Sequence, residues 1–403
     1  LERATLRRID LKRAQAARSN TIRDINRQIV LNYVREREPI SRAEIARETA
    51  LQRSTVSAIV DALQADGLIE EVGSGESTGG RRPTLLKLRT AGAMAIGVAI
   101  TPTRTTIATS DLAGRVIEQE EFSSNTDFER TITRVADCVR EMAAKNKGAI
   151  ETVGVSLPGL VDTESNRALY VPYFKWRDVP VAQRIAAATN LSVMIGNDAN
   201  AAALAELWFG RPEVSGVRDF IMVLVAEGVG TGIVFDGQIY HGEHGAAGEF
   251  GHMIIGAQGP TPCSCGNFDC WEAFSSERAA LARYQKAVGT GNASTPVNFN
   301  RLIDRALAGE DAAREALLET AHYLGIGISN LIVGFSPEAV VVGGHLVRAW
   351  PLVSEALGET IEHSIRRGLP SARIIASTLG PHPTLMGALS LVLASKFSSV
   401  VAV

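Results

Sequence analysis

Residues 21–88 constrain the fold more tightly than any other part of the chain. Ile22, Ile25, Ile29, Val30, Tyr33 and Val34 recur at the three- and four-residue spacing of one helical face. Pro39 ends that pattern, because proline lacks the amide hydrogen and clashes with the preceding turn. Ser41 stands three residues before Glu44, the reciprocal capping box that opens a helix. The spacing predicts a short helix Arg42–Thr49 burying Ala43, Ile45 and Ala46, then a tight turn over 50–52. A second capped helix is expected from about Ser54, burying Val56, Ile59, Val60 and Leu63 and ending at Gly67. Two strands, 68–72 and Thr84–Leu88, then flank a Gly-rich loop that ends in Gly80-Arg81-Arg82-Pro83. Short helix, tight turn, longer helix and hairpin make a winged helix-turn-helix.

That unit predicts a DNA-binding surface. Gln52, Arg53, Ser54, Thr55 and Ser57 present small polar groups and a guanidinium to base edges and phosphates, with Ser41 at the start of the preceding helix. Arg81 and Arg82 would reach a phosphate or the minor groove from the wing. The competing reading is a helical protein-interaction module. The second helix offers no apolar outer face to support it.

Charge agrees with a polyanion partner. The net charge of −3 hides an asymmetry: residues 1–90 carry 17 Lys+Arg against 12 Asp+Glu, and the remainder 24 against 32. Fifteen of those 17 cations are Arg, the better bidentate partner for phosphate and guanine. Residues 1–20 read as a basic arm or a solvated tail, 21–90 as the head and 91–403 as the body. At 403 residues and 45% hydrophobic, the chain has room for two or three domains. With no secretory signal and no long apolar run, a cytoplasmic protein without membrane insertion is expected.

After Thr90, short β-rich runs alternate with Ala-rich helical stretches, which predicts an α/β body of two lobes around a cleft. Three consecutive antiparallel strands should open it, turning first at 101–104. Between residues 157 and 192 the pattern offers one helix, Val181–Thr189, and no strand. No repeat of fixed short period is visible.

The sharpest chemical signal is Cys263-Ser-Cys265-Gly-Asn-Phe-Asp-Cys270, with His252 just upstream. Three thiolates and an imidazole make a common tetrahedral zinc set with no open position, hence a structural metal. Three free thiols are the alternative. Asn197-Asp198 follows a short strand and opens a helix. The pair could hydrogen-bond sugar hydroxyls, with Asp198 as a base, or serve as an ordinary helix cap. Glu249 and Glu272 bracket the cysteine loop and could accept from hydroxyls or stay solvated.

Together these pieces resemble the ROK family, named for repressors, open reading frames and kinases. The resemblance rests on Gly154-Val-Ser-Leu-Pro158-Gly159, Gly196-Asn-Asp-Ala-Asn200, Gly245-Ala-Ala-Gly-Glu249-Phe-Gly-His252, the cysteine loop through Glu272, and Val342-Gly-Gly344. It implies a two-lobed actin-like, ribonuclease-H-like sugar-kinase fold. It also implies zinc on His252, Cys263, Cys265 and Cys270, within a loop spanning 249–272. A sugar or sugar phosphate would sit on Gly159, Asn197, Asp198, Glu249, His252 and Glu272, with Asp198 at the position of the kinases' catalytic base. Two departures argue against catalysis. The kinases' Asp-x-Gly-Gly-Thr phosphate loop reads Ala99-Ile-Thr101-Pro102-Thr103 here, and their second loop, Gly-Thr-Gly, reads Ala226-Glu227-Gly228. No metal-binding carboxylate remains on the first, and a negative charge stands on the second, so no ATP is expected.

The chain thus resembles the regulator branch of the family, of the N-acetylglucosamine and xylose repressor kind. The implied function is sugar-responsive repression of carbohydrate genes from a double-stranded operator, by a homodimer or homotetramer. The alternatives are an ATP-dependent sugar kinase that kept a DNA-binding head, and a regulator governed by a partner such as a sugar-transport protein.

Overall fold

The computed structural model describes residues 19–75, 82–90, 94–146, 150–210, 216–256, 258–289, 297–365 and 370–397. The chain divides into two compact units. One is the N-terminal head with Asp111–Arg115 and the chain from Leu393 onward; the other is the body.

The head comprises helices α1 (Ser19–Arg37), α2 (Arg42–Thr49) and α3 (Arg53–Ala65) and strands β1 (Ile40–Ser41), β2 (Ile69–Ser74) and β3 (Thr84–Leu88), paired in the order β1-β3-β2. Val30, Val34, Ile45, Val56, Val60, Leu63 and Leu86 form its fully buried core. The capping box is present: the Glu44 amide donates to Ser41 Oγ, and the Ser41 amide donates to Glu44 Oε2 at 2.9 Å. α3 begins one residue before the expected Ser54. Its cap is Gln52, which makes no side-chain bond to the helix. Gly67 closes α3 at φ +70°, the left-handed conformation that glycine adopts without steric cost. With the β2–β3 hairpin as wing, this is a winged helix-turn-helix.

The body has two five-stranded sheets. In the first lobe β4 (Ala95–Ile100), β5 (Arg104–Ser110) and β6 (Val116–Ser123) run antiparallel, as expected. β7 (Thr152–Leu157) and β11 (Ser192–Asn197) add in parallel, giving β6-β5-β4-β7-β11. In the second lobe β12 (Phe220–Val225), β13 (Val229–Phe235) and β14 (Gln238–Ile239) run antiparallel. β15 (Ala339–Gly344) and β16 (Arg373–Ala376) add in parallel, giving β14-β13-β12-β15-β16. The two sheets repeat one topology, a duplication that no short sequence period announces. Each lobe's first hairpin therefore sends its turn to the equivalent place.

Helices α4 (Phe128–Lys145) and α5 (Val181–Thr189) pack on the first sheet, whose core includes Val98, Ile107, Val139 and Val155. α6 (Asp198–Phe209) touches strands of both sheets. The second lobe carries α7 (Trp271–Ser275), α8 (Glu277–Val288), α9 (Phe299–Leu307), α10 (Asp311–Phe335) and α11 (Trp350–Ser364). α10 is apolar and long enough to cross a membrane by length and composition, yet Leu317, Leu324 and Ile328 are fully buried in that lobe's core. α12 (Pro383–Phe397) lies against the first sheet, where a Cβ on Gly154 would meet the Ala388 carbonyl at 1.9 Å. Only glycine permits that approach.

A small sheet, β8 (Leu160–Asp162), β9 (Arg167–Val171) and β10 (Trp176–Val179), fills the stretch where no strand was expected. It turns the chain after Gly159 and delivers Pro172 and Tyr173 to the cleft between the lobes.

Candidate functional site

The interlobe cleft encloses ≈ 370 Å³ and brings together all six residues expected to face a sugar: Gly159, Asn197, Asp198, Glu249, His252 and Glu272. Local structure explains each position. Gly159 sits at φ +87° with the Tyr170 carbonyl only 2.3 Å from where a Cβ would be. Asn197 donates from Nδ2 to the Gly159 carbonyl at 3.0 Å, and its Oδ1 caps α6 by accepting from Ala199 and Asn200. The cap is thus Asn197, which leaves Asp198 as the first residue of the helix, with one oxygen accepting from the Ala199 amide at 2.8 Å. Asp198 keeps partial access to solvent on the cleft side. Burial of its carboxyl, reinforced by Glu227 and Glu249, pushes its pKa up to about 7.

Glu272 is buried, and both its oxygens are engaged. Oε2 accepts from the Val229 amide at 3.2 Å, and Oε1 accepts from the Ser264 amide at 2.7 Å and from the Cys263 thiol at 3.3 Å. It therefore ties the cysteine loop to the β12–β13 turn. Burial raises the pKa of Glu249, opposed by His252. His252 Nε2 lies 3.5 Å from Glu249 Oε2, while Nδ1 faces Cys263 Sγ at 3.1 Å.

His252, Cys263, Cys265 and Cys270 offer donor atoms that all lie within 4.8 Å of one another. Cys265 and Cys270 sulfurs are 3.6 Å apart. A tetrahedral ion with bonds of about 2.0–2.3 Å separates its donors by roughly 3.3–3.8 Å, so the set fits a small tetrahedral cation. The Glu249 carboxylate on the far ring nitrogen of His252 is the usual outer partner of a metal-bound imidazole. The loop is held by the Cys263 amide donating to Asn267 and the Gly266 amide to Cys263, with Gly266 at φ +97°.

Tyr173 belongs to Pro172-Tyr173-Phe174, the stretch that stands where the resemblance would put a sugar-contacting Asn, and is not among the residues expected to face a sugar. Its hydroxyl is buried beside Glu272 and Gly228 and has no hydrogen-bond partner, and burial raises its pKa. An unpaired buried phenol is costly unless something fills its hydrogen bond. Across the cleft, Thr103 Oγ1 of the β4–β5 turn donates to Glu227 Oε1 of the β12–β13 turn at 2.7 Å. The two hairpin turns of the duplicated lobes thus meet through one hydrogen bond.

In the head, Gln52, Arg53 and Ser54 are exposed at the start of α3, and Thr55 and Ser57 are half-buried. Arg82 is exposed on the wing, and Arg81 lies outside the described residues. Ser41, expected on the DNA-facing surface, is only 2% exposed, and its hydroxyl donates to Glu44 Oε2. It holds the fold of the head and presents nothing to a partner. Arg42, not singled out from sequence, joins α2 to α3 by donating to Asp61 Oδ1 at 2.6 Å and to Gln64 Oε1 at 3.0 Å.

Comparison with known proteins matches the "ROK family" model over residues 95–395 and the "MarR family" model over 29–81. The chain is 33% identical to the "Xylose repressor" of Caldicellulosiruptor bescii, covering 94% of this chain and 97% of the relative. The crystal structure of a ROK family transcriptional regulator, a homologue of the E. coli MLC protein, superposes with TM-score 0.77 at 25% identity, over 94% of this chain and 97% of that one. A ROK family glucokinase from Streptomyces griseus, solved with glucose and AMPPNP, superposes with TM-score 0.67 at 27% identity, over 74% of this chain and 98% of the kinase.

Proposed function

Since the chain belongs to the ROK family, we propose that it is a sugar-responsive repressor that binds operator DNA through its winged head and its effector in the interlobe cleft. The observation that carries this reading is the union, in one chain, of a winged helix-turn-helix with exposed Gln52, Arg53 and Ser54 and a cleft lined by Asn197, Asp198, Glu249 and His252. A repressor relative that matches both parts end to end supports it. Gln52, Arg53, Ser54, Thr55 and Ser57 face the major groove, and Arg81 and Arg82 the backbone or minor groove. Two heads of a homodimer or homotetramer meet a pseudo-palindromic operator in the cytoplasm. Effector binding changes DNA affinity because the two conformational states bind the effector unequally. Fluorescence anisotropy of labelled operator DNA, titrated with the protein with and without sugar, tests this. Operator affinity insensitive to every sugar would refute it and favour control by a partner protein.

His252, Cys263, Cys265 and Cys270 hold zinc, which with four protein ligands supplies structure to the loop. The protein is not a kinase: a turn reading Ala99-Ile-Thr101-Pro102-Thr103 has no carboxylate for Mg²⁺, and Glu227 occupies the facing turn. A coupled assay with ATP, Mg²⁺ and a sugar panel should show no turnover above background.

Two variants probe the cleft. Tyr173→Phe removes the unpaired hydroxyl and should weaken effector binding about tenfold in calorimetry, the worth of one hydrogen bond. Asp198→Asn tests the raised carboxyl. An ordinary carboxyl in the unfolded chain ionises near pH 4, whereas the folded group stays protonated until about pH 7. The unfolded state therefore binds fewer protons across that window, and wild-type stability falls as pH rises through it. The stability advantage of Asp198→Asn in urea unfolding should grow by on the order of 1–2 kcal/mol from about pH 5.5 to about pH 8. A pH-independent difference would contradict the raised pKa.

A further inference from the structure

We infer that the cleft accepts an uncharged sugar and turns away a sugar carrying a phosphate ester, with Glu227 as the excluding group. The inference rests on the sugar-responsive reading above and sharpens it. Four carboxylates, Asp198, Glu227, Glu249 and Glu272, line one small cavity, and among the described residues no Lys or Arg lines it. The guanidinium of Arg278 lies 5.8 Å from the centre of the Tyr173 ring and donates to the Pro262 carbonyl. Among the described lining residues, His252 is the one able to carry a positive charge, and its ring is turned to Cys263 and Glu249.

The backbone offers an anion little more. A helix N-terminus normally attracts phosphate through its free amides and its dipole. At α6 those amides are already taken: Asn197 Oδ1 accepts from Ala199 and Asn200, and Asp198 Oδ1 accepts from Ala199. On the facing β12–β13 turn the Val229 amide is held by Glu272, and the Ala226 amide donates to the Gly228 carbonyl. The same turn carries Glu227, fixed by the Thr103 hydroxyl at 2.7 Å from across the cleft. Its charge reaches both Asp198 and Tyr173, so it bears on the floor of the cavity and on its unpaired phenol. The polar side chains left for a ligand are mostly acceptors and hydroxyls, with the second Nδ2 hydrogen of Asn197 and the neutral form of Asp198 as side-chain donors. Sugar hydroxyls donate to carboxylates and complete this set. A phosphate dianion has no donors at neutral pH and would meet the Glu227 carboxylate, with Asp198 partly ionised, in a partly desolvated space.

The test uses the full-length, zinc-loaded protein in buffer without other divalent cations. Calorimetry is run with xylose, glucose and N-acetylglucosamine, and with the terminal phosphate ester of each. At least one neutral sugar should bind, and its ester should bind weaker by on the order of a hundredfold. In Glu227→Gln the ratio between sugar and ester affinity should narrow by about tenfold, since one of the opposing charges is gone. An ester that binds wild type as tightly as its parent sugar, or alone, overturns the inference and leaves the sugar-responsive reading standing. A ratio unchanged in Glu227→Gln overturns the assignment to Glu227. Binding of none of the six overturns the sugar reading itself, and this inference falls with it.

Discussion

Cys270→Ser should lose its metal and, with it, at least about a hundredfold in effector affinity. Cys270 is buried, and its backbone opens α7, the short helix that carries Glu272 two residues on. Glu272 in turn holds the Val229 and Ser264 amides, and His252 reaches Glu249. A structural zinc can contribute on the order of 10 kcal/mol to the fold of a small domain that depends on it. Here the same ion would order the loop bearing two of the cleft's carboxylates, so its loss reaches the effector through geometry rather than through direct contact. Elemental analysis of the purified variant and calorimetry with the sugar panel measure both halves. The matched control is Cys138→Ser. Cys138 is also buried, but it sits on α4 against Glu120, away from the cluster. Metal content equal to wild type in Cys270→Ser would refute the four-ligand zinc site. Loss of metal in the Cys138 variant would mean that the assay reads general instability.

Much of this architecture is legible because it is written locally. The capping box at Ser41 and Glu44, the stop at Pro39 and the turn at Gly67 act over three or four residues, and the head follows from them. The cysteine loop is local in the same sense, with three donors inside eight residues. What escapes a reading of sequence is long-range or contrary to a residue's habit. β8, β9 and β10 are three to five residues long and only partly buried, without the clean alternation that marks a strand. The pairing of Thr103 with Glu227 joins residues 124 apart and depends on the two lobes sharing a topology. Glutamate is seldom buried, so nothing in the sequence says that Glu272 would be enclosed and spent on backbone amides. Ser41 fails in the opposite way: a serine beside a recognition unit looks like a contact, and its cap to Glu44 removes it from the surface.

That contrast between Ser41 and Arg53 yields the other large effect. Arg53 opens α3 with its side chain exposed and no acidic partner among the described residues. Placed at the N-terminal end of a helix entering the major groove, a guanidinium can bond a guanine edge bidentately, worth about 1–3 kcal/mol. Arg53→Ala should therefore weaken operator binding by roughly 10- to 100-fold without lowering the melting temperature of the protein. Arg53→Glu, which adds repulsion from the phosphates, should lose on the order of a thousandfold. Ser41→Ala should do the reverse. It removes a helix cap worth about 1 kcal/mol and should destabilise the head, while any operator loss tracks the fraction unfolded and spares sequence preference. Anisotropy titrations against operator and scrambled duplexes at several salt concentrations, with thermal melts of the same samples, separate the two. If Arg53→Ala bound operator like wild type while Ser41→Ala lost specificity at full stability, the DNA-reading surface would lie on α2, and the assignment of α3 as the recognition helix would be wrong.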